Sequence, residues 1–254
     1  RKPARPRSSP CSRPEAIAPD IVSDRTPLLL LPGLLCTARL WQAQIDALGD
    51  VADAHVADLS RDDSVGAMAD RALAHAPPHF ALAALSMGGY VAFEILRRAP
   101  ERVRRLALIA TSARPDSPER AAQRRRGIDA IDRGRFVGVT RQLLPSLVHP
   151  SHVDGPIGDI VQSMAREIGA GGYLRQQAAI LGRPDSEPVL ASIEVPTLIV
   201  VGEQDRLTPP LEAEAMHADI ARSTLRRLGG CGHLPPLERG DETSGLMRDW
   251  LVGS

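Results

Sequence analysis

Residues 80–98 read FALAALSMGGYVAFEILRR: six apolar residues, one serine, then a stretch with apolar residues at helical spacing. Phe80 to Leu85 has the length and apolarity of a buried strand, and Met87 to Arg98 the pattern of a helix. Ser86 therefore falls on the turn itself. A strand that passes straight into a helix strains the backbone of the turn residue and stands its side chain above the sheet edge, so the neighbours must lack bulk. Ala84, Gly88 and Gly89 meet that requirement. A buried strand feeding a helix is a unit of α/β architecture, and no other segment narrows the fold as far.

The rest of the chain repeats the unit. Strand candidates are Leu28 to Leu31, Ala52 to Ala57, Phe80 to Leu85, Leu106 to Ala110, Thr197 to Val201 and Thr224 to Leu228. Helical patterns at Ala38 to Leu48, Ser64 to His75 and Met87 to Arg98 join the first four, as crossovers of a parallel sheet do. The alternation then stops between Thr111 and Val195, where only helical patterns are visible. Ser117-Pro118-Glu119 has the form of a helix start, opening a helix to about Arg133. Further helices are expected at Phe136 to Leu144, Ile157 to Ile168 and Gly172 to Leu181, with Pro145, Pro150, Pro156 and Pro184 as punctuation. An amphipathic helix with Leu246, Trp250 and Leu251 closes the chain. The expected fold is α/β, a mostly parallel central sheet with helices on both faces and an inserted helical cap. The core would take residues 26–112 and 190–254, and the cap 113–189.

A chain of 254 residues is long enough for one such unit with an insertion. Its 31 basic and 31 acidic residues balance, which removes a whole-molecule argument for nucleic acid or an anionic membrane. No apolar run approaches the ~20 residues a bilayer span needs. Residues 1–25, rich in Arg, Pro and Ser, read as a disordered tail without the apolar core of a secretory signal. Three cysteines, Cys11, Cys36 and Cys231, make no disulfide framework, and cytoplasmic conditions are expected.

Ala84-Leu85-Ser86-Met87-Gly88 resembles the nucleophile elbow of the α/β-hydrolases, normally GxSxG, with Ala84 at the first glycine. A serine hydroxyl is a poor nucleophile at neutral pH and needs a histidine to take its proton and an acid to orient that histidine. The resemblance implies that the acid follows a late strand and the histidine the next one. Thr197 to Val201 runs into GEQD205RLTPP, and Thr224 to Leu228 into GGCGH233LPP, which nominates Asp205 and His233. It also implies an oxyanion hole of two backbone N–H groups: Met87, directly after the serine, and Leu34, in the turn PGLL that follows Leu28 to Leu31. Gly33 would let that turn approach the substrate. The segments PGLLCTARLWQAQIDAL and Leu190 to Thr208 extend the likeness over roughly residues 26–254, to the group of capped small carboxylesterases, enol-lactone hydrolases and haloperoxidase-like enzymes.

Hydrolysis of a small ester, lactone or thioester through an acyl-enzyme is the implied reaction, on a small-molecule substrate, with no cofactor, no metal, no nucleic acid and no membrane. A homo-oligomer stays open. With aromatic residues at 3%, aliphatic side chains should line the pocket. Gly33, Leu35 and Leu234 are the nearest candidates by sequence, and Trp41 and Tyr90 are placed to approach. Among the insertion's arginines, Arg124-Arg125-Arg126 point in three directions on a helix and most of them must be solvated. Arg175, beside Gln176 and Gln177, is the candidate cation for a carboxylated substrate, which a lyase or C–C hydrolase on the same triad would require. A non-turnover ligand receptor is the third reading. His149 and His152 lack companion metal ligands.

Overall fold

The computed structural model describes residues 25–132 and 138–253. Six strands form one parallel sheet: β1 (Thr26–Leu31), β2 (Ala52–Val56), β3 (Phe80–Leu85), β4 (Val103–Ile109), β5 (Thr197–Gly202) and β6 (Ser223–Leu228). Their spatial order is β2-β1-β3-β4-β5-β6, so the chain changes its direction of travel across the sheet between β1 and β3. In open parallel sheets the crevice at such a switch point, beyond the carboxyl ends of the strands, is where ligands bind. Ser86 follows β3 at that point.

Strands buried on both faces explain the unbroken apolar runs. In β1, Leu29 and Leu31 join one hydrophobic cluster while Leu28 and Leu30 join the other. Helices α2 (Val65–His75), α3 (Met87–Arg98) and α8 (Pro210–Asp219) cover the first face through residues such as Met68, Val91 and Met216. Helices α1 (Gln42–Leu48) and α10 (Gly240–Val252) cover the second through Leu48, Met247 and Trp250. The expected helix over Ala38 to Leu48 is divided, its first turn being a 3₁₀ turn at Ala38–Trp41. β4 begins three residues earlier than its apolar run suggests, because pairing with Phe80 of β3 recruits Val103 despite the charged Arg104 and Arg105 that follow.

Between β4 and β5 the described residues hold helices only: α4 (Pro118–Asp132), α5 (Leu144–Leu147), α6 (Pro156–Leu181) and α7 (Glu187–Leu190), with a 3₁₀ turn at Pro150–His152. The Ser117 hydroxyl accepts from Arg120 N (3.3 Å) at the start of α4. A helix over Phe136 to Leu144 does not form across residues 138–143. Pro145 sits in the first turn of α5, where a proline opens a helix instead of ending one. The two helices expected at Ile157 to Ile168 and Gly172 to Leu181 are the halves of α6, broken at Gly169 (φ 67°, ψ −178°), a conformation open essentially to glycine. Arg133, the start of the helix expected at Phe136, Cys11 and the N-terminal stretch before Arg25 lie outside the described residues. Among the described residues no helix is long and apolar enough to cross a membrane.

Candidate active site

Ser86 has φ 52° and ψ −113°, a strained setting for a residue with a Cβ, of the kind that costs about 1–3 kcal/mol. The strain is held by neighbours on three sides. Ser86 N donates to Ile109 O (3.0 Å), extending the β3–β4 ladder, and its carbonyl accepts from Gly89 N (2.8 Å) and from the Thr111 hydroxyl (2.8 Å). A Cβ at Gly88 would overlap the carbonyl oxygen of Leu31, and one at Gly89 the side chain of Thr111. Those glycines let α3 start flush against β1 and against the chain leaving β4. Ala84, at the position of the usual first glycine, lies within the sheet opposite Leu31 and Leu108, where a methyl group packs as a core side chain.

From the Ser86 hydroxyl a chain of hydrogen bonds runs inward: Ser86 Oγ to His233 Nε2 is 2.9 Å, and His233 Nδ1 to Asp205 Oδ2 is 2.8 Å. Asp205 Oδ1 accepts from Leu207 N (2.8 Å) and Thr208 N (3.0 Å), and Oδ2 from the Thr208 hydroxyl (2.8 Å). Burial pushes the Asp205 carboxyl up, but the His233 imidazole and the donors of Thr208 outweigh it and hold the group below the usual carboxylate range. An ionised carboxylate only accepts, so Nδ1 of His233 carries the proton and Nε2 is left to accept from Ser86. The side chains of His233 and Asp205 are 5% and 0% exposed, which keeps water from competing for these bonds. The three come from loops after β3, β5 and β6, at one edge of the sheet.

A cavity of about 660 Å³ opens over Ser86 and His233, beneath α4 and α6. Gly33, Leu34, Leu35, Met87, Tyr90 and Leu234 line it, as the sequence suggests; Leu147, Val161 and Ile180 from the insertion complete an aliphatic wall. Trp41 does not reach the site: it is fully buried in the cluster with Leu48 and Trp250, because the 3₁₀ turn that carries it faces the sheet. Arg175 is not at the cavity either. It is exposed, with Nε on Ser60 O (2.8 Å), because its neighbour Gln176, about 100° round the helix, takes the inward position. The arginines that line the cavity are Arg120, Arg124 and Arg206. Of the triple, Arg125 and Arg126 are solvated while Arg124 turns in, its Nε on Asp116 (2.5 Å) and its Nη1 on Gln177 (3.0 Å).

Three supports were not singled out from the sequence. Gln176, 1% exposed, accepts from Leu35 N (3.0 Å) and donates to Leu59 O (3.2 Å), so α6 pins the turn after β1. That turn closes through Cys36 N to Gly33 O (3.1 Å), and a Cβ at Gly33 would lie 2.8 Å from Leu85 Cδ2. Leu34, the residue before Leu35 in this turn, lines the cavity beside Met87, which holds the first position of α3, where helix N–H groups have no intrahelical acceptor. Thr208 and Glu238 are the others, and only the motif position of Thr208, three after Asp205, offered a signal. Cys36 lines the cavity, but burial pushes its thiol up to about 12, leaving it protonated.

Residues 28–246 match the alpha/beta hydrolase family. The chain belongs to that family. A pimeloyl-[acyl-carrier protein] methyl ester esterase of Neisseria meningitidis serogroup C is 30% identical over 233 residues, 88% of this chain and 87% of that protein. A counterpart from Xanthomonas campestris pv. campestris is 27% identical over 252 residues, 92% of this chain and 98% of that one. Among solved structures, a thermophilic esterase from Thermogutta terrifontis (malate bound) superposes with a TM-score of 0.80 at 30% identity, covering 89% of each chain. The enol-lactonase from Burkholderia xenovorans LB400, at 22% identity and TM-score 0.74 over 92% and 94% of the two chains, shares the fold. This family member is an enzyme, a hydrolase of carboxylic esters.

Proposed function

We propose that the enzyme cleaves its ester through Ser86, with His233 as the general base and Asp205 as its orienting anion. The carrying observation is the unbroken hydrogen-bonded chain from Ser86 Oγ to Asp205 at the floor of an aliphatic cavity. Ser86 Oγ attacks the ester carbonyl carbon as its proton passes to His233 Nε2, and the carbonyl oxygen becomes an oxyanion held by the Leu34 and Met87 N–H groups. Collapse expels the alcohol, which takes the proton from Nε2, and leaves an acyl-Ser86. Water, deprotonated by Nε2, then releases the acid and restores the serine. The helical insertion, 113–189, serves as the cap that closes the cavity from water.

For the substrate we favour a methyl ester of a straight-chain acyl group. The meningococcal and Xanthomonas relatives carry such an ester in their names, and the Leu, Val and Ile lining suits an unbranched chain. A carboxylated substrate bound by Arg175, as a lyase would need, has lost its residue to the outer surface. Turnover of p-nitrophenyl esters from acetate to decanoate, and of methyl esters of the same acids, tests the reading. Ser86→Ala should drop kcat/KM by about 10⁴-fold or more and abolish fluorophosphonate labelling. Labelling that persists in the Ser86→Ala protein would sink the assignment.

A further inference from the structure

Glu238 ends the short helix α9 (Pro235–Glu238) and is 6% exposed, yet it touches none of the reacting atoms. Its carboxylate takes three backbone N–H groups: Leu234 on Oε1 (2.9 Å), and Gly232 (3.0 Å) and His149 (2.6 Å) on Oε2. The N–H groups of the two residues that flank His233 thus end on one side chain. The N–H of His233 itself donates to Leu147 O (2.9 Å). Three successive donors of the loop are therefore fixed, two by Glu238 and one by the insertion, and bonds to an ionised acceptor are about twice as strong as neutral ones. The loop is also gripped sterically. A Cβ at Gly232 would lie 2.8 Å from His149 N, and one at Gly202 would overlap the Gly232 carbonyl, so the loop has the end of β5 on one side and segment 147–149 on the other.

We propose that Glu238 is a positioning residue for His233: it fixes the peptides that carry the imidazole and, through the His149 N–H, ties that setting to the insertion. The inference rests on the roles of Ser86 and His233 given above. The imidazole must hold Ser86 at 2.9 Å and Asp205 at 2.8 Å at once, and a misplacement of about 1 Å in such a constellation costs roughly 100-fold in rate. No other side chain in the described residues bonds the N–H groups of both flanking residues.

Glu238→Gln keeps the shape but replaces one acceptor oxygen with an amide donor, which must face either Leu234 N–H or the N–H groups of Gly232 and His149. Turnover of p-nitrophenyl butyrate per fluorophosphonate-titrated serine should fall about 10- to 100-fold with KM nearly unchanged, and labelling of Ser86 should slow in step. The downfield proton resonance of His233 Nδ1–H should shift or broaden. A merely structural role would lower the folded fraction and leave each titrated serine turning over at the wild-type rate, and that result would overturn the proposal. Hydrogen exchange on the unaltered enzyme gives a second test. The amides of residues 149, 232 and 234 should share one protection factor; rapid exchange at His149 with Gly232 still protected would break the tie to the insertion. Wild-type enzyme without Ser86-dependent turnover would instead refute the catalytic assignment itself.

Discussion

At the elbow, backbone lies on backbone: α3 meets β1 through Gly88 with no room for a Cβ, and the strained Ser86 is locked by a ladder bond to Ile109 of β4 and by Thr111. The insertion packs Val161, Met164 and Ile180 into the same hydrophobic clusters as the sheet and adds buried polar ties. Asp116, its side chain 4% exposed, takes Arg124 Nε (2.5 Å) and Arg183 Nη2 (2.9 Å), and Gln176 crosses from α6 to the turn after β1. The contrast teaches where precision comes from. Close packing of a sheet leaves Ser86 a single setting, whereas the helices over it combine apolar packing with a few buried polar groups, of which Gln176 also holds the turn after β1.

Four substitutions sharpen that comparison. Gly88→Ala, which sets a methyl group against the Leu31 carbonyl of a central strand, should destabilise by on the order of 4 kcal/mol in urea denaturation. Asp116→Asn leaves the buried Arg183 guanidinium without its counter-charge and should cost about 3 kcal/mol at pH 7. Burial raises the Asp116 carboxyl, but Arg183 and Arg124 more than offset this and hold it below the usual range. Its contribution is therefore complete above the unfolded value near pH 3.9 and is lost as pH falls through the lower folded one. Denaturation curves of wild type and Asp116→Asn should converge in strong acid; a gap that widens there would contradict the ion-pair account.

Gln176→Leu frees Leu35 N–H inside the protein, and a loss of about 1–2 kcal/mol is expected together with a lower kcat, since the turn proposed to hold the oxyanion loses its brace. Stability lost without any change in kcat would show that the turn keeps its shape unaided. Arg175→Ala, on the outer surface, should leave kcat/KM within about twofold for neutral and acidic esters alike. A selective loss on acidic esters would return Arg175 to the site.

What could be read from the sequence follows the same division. Sheet, crossovers, elbow, Asp205 and His233 were legible because each is local: an apolar run, a helix period, a small residue beside a turn. The two halves of α6 were legible too, as separate helical patterns at Ile157 to Ile168 and Gly172 to Leu181. Trp41 and Arg175 were misplaced because which side of a helical turn faces the cavity depends on how that turn is docked, and helical spacing by itself leaves that open. Pro145, read as punctuation after a helix ending at Leu144, lies inside the first turn of α5 for a reason of the same kind.

By itself the sequence determined a parallel α/β sheet with a helical insertion and the chemical identity of a serine, an acid and a histidine in that order, because periodicity and turn chemistry act over a few residues. Only the tertiary structure decided that Nε2 of His233 meets Ser86, that Gln176 bonds the turn after β1 and Glu238 the loop of His233, and that Arg175 stays outside. The contacts that span the chain join residues 89 positions apart for His149–Glu238, 141 for Leu35–Gln176 and 147 for Ser86–His233, and no local pattern encodes the docking that brings them together.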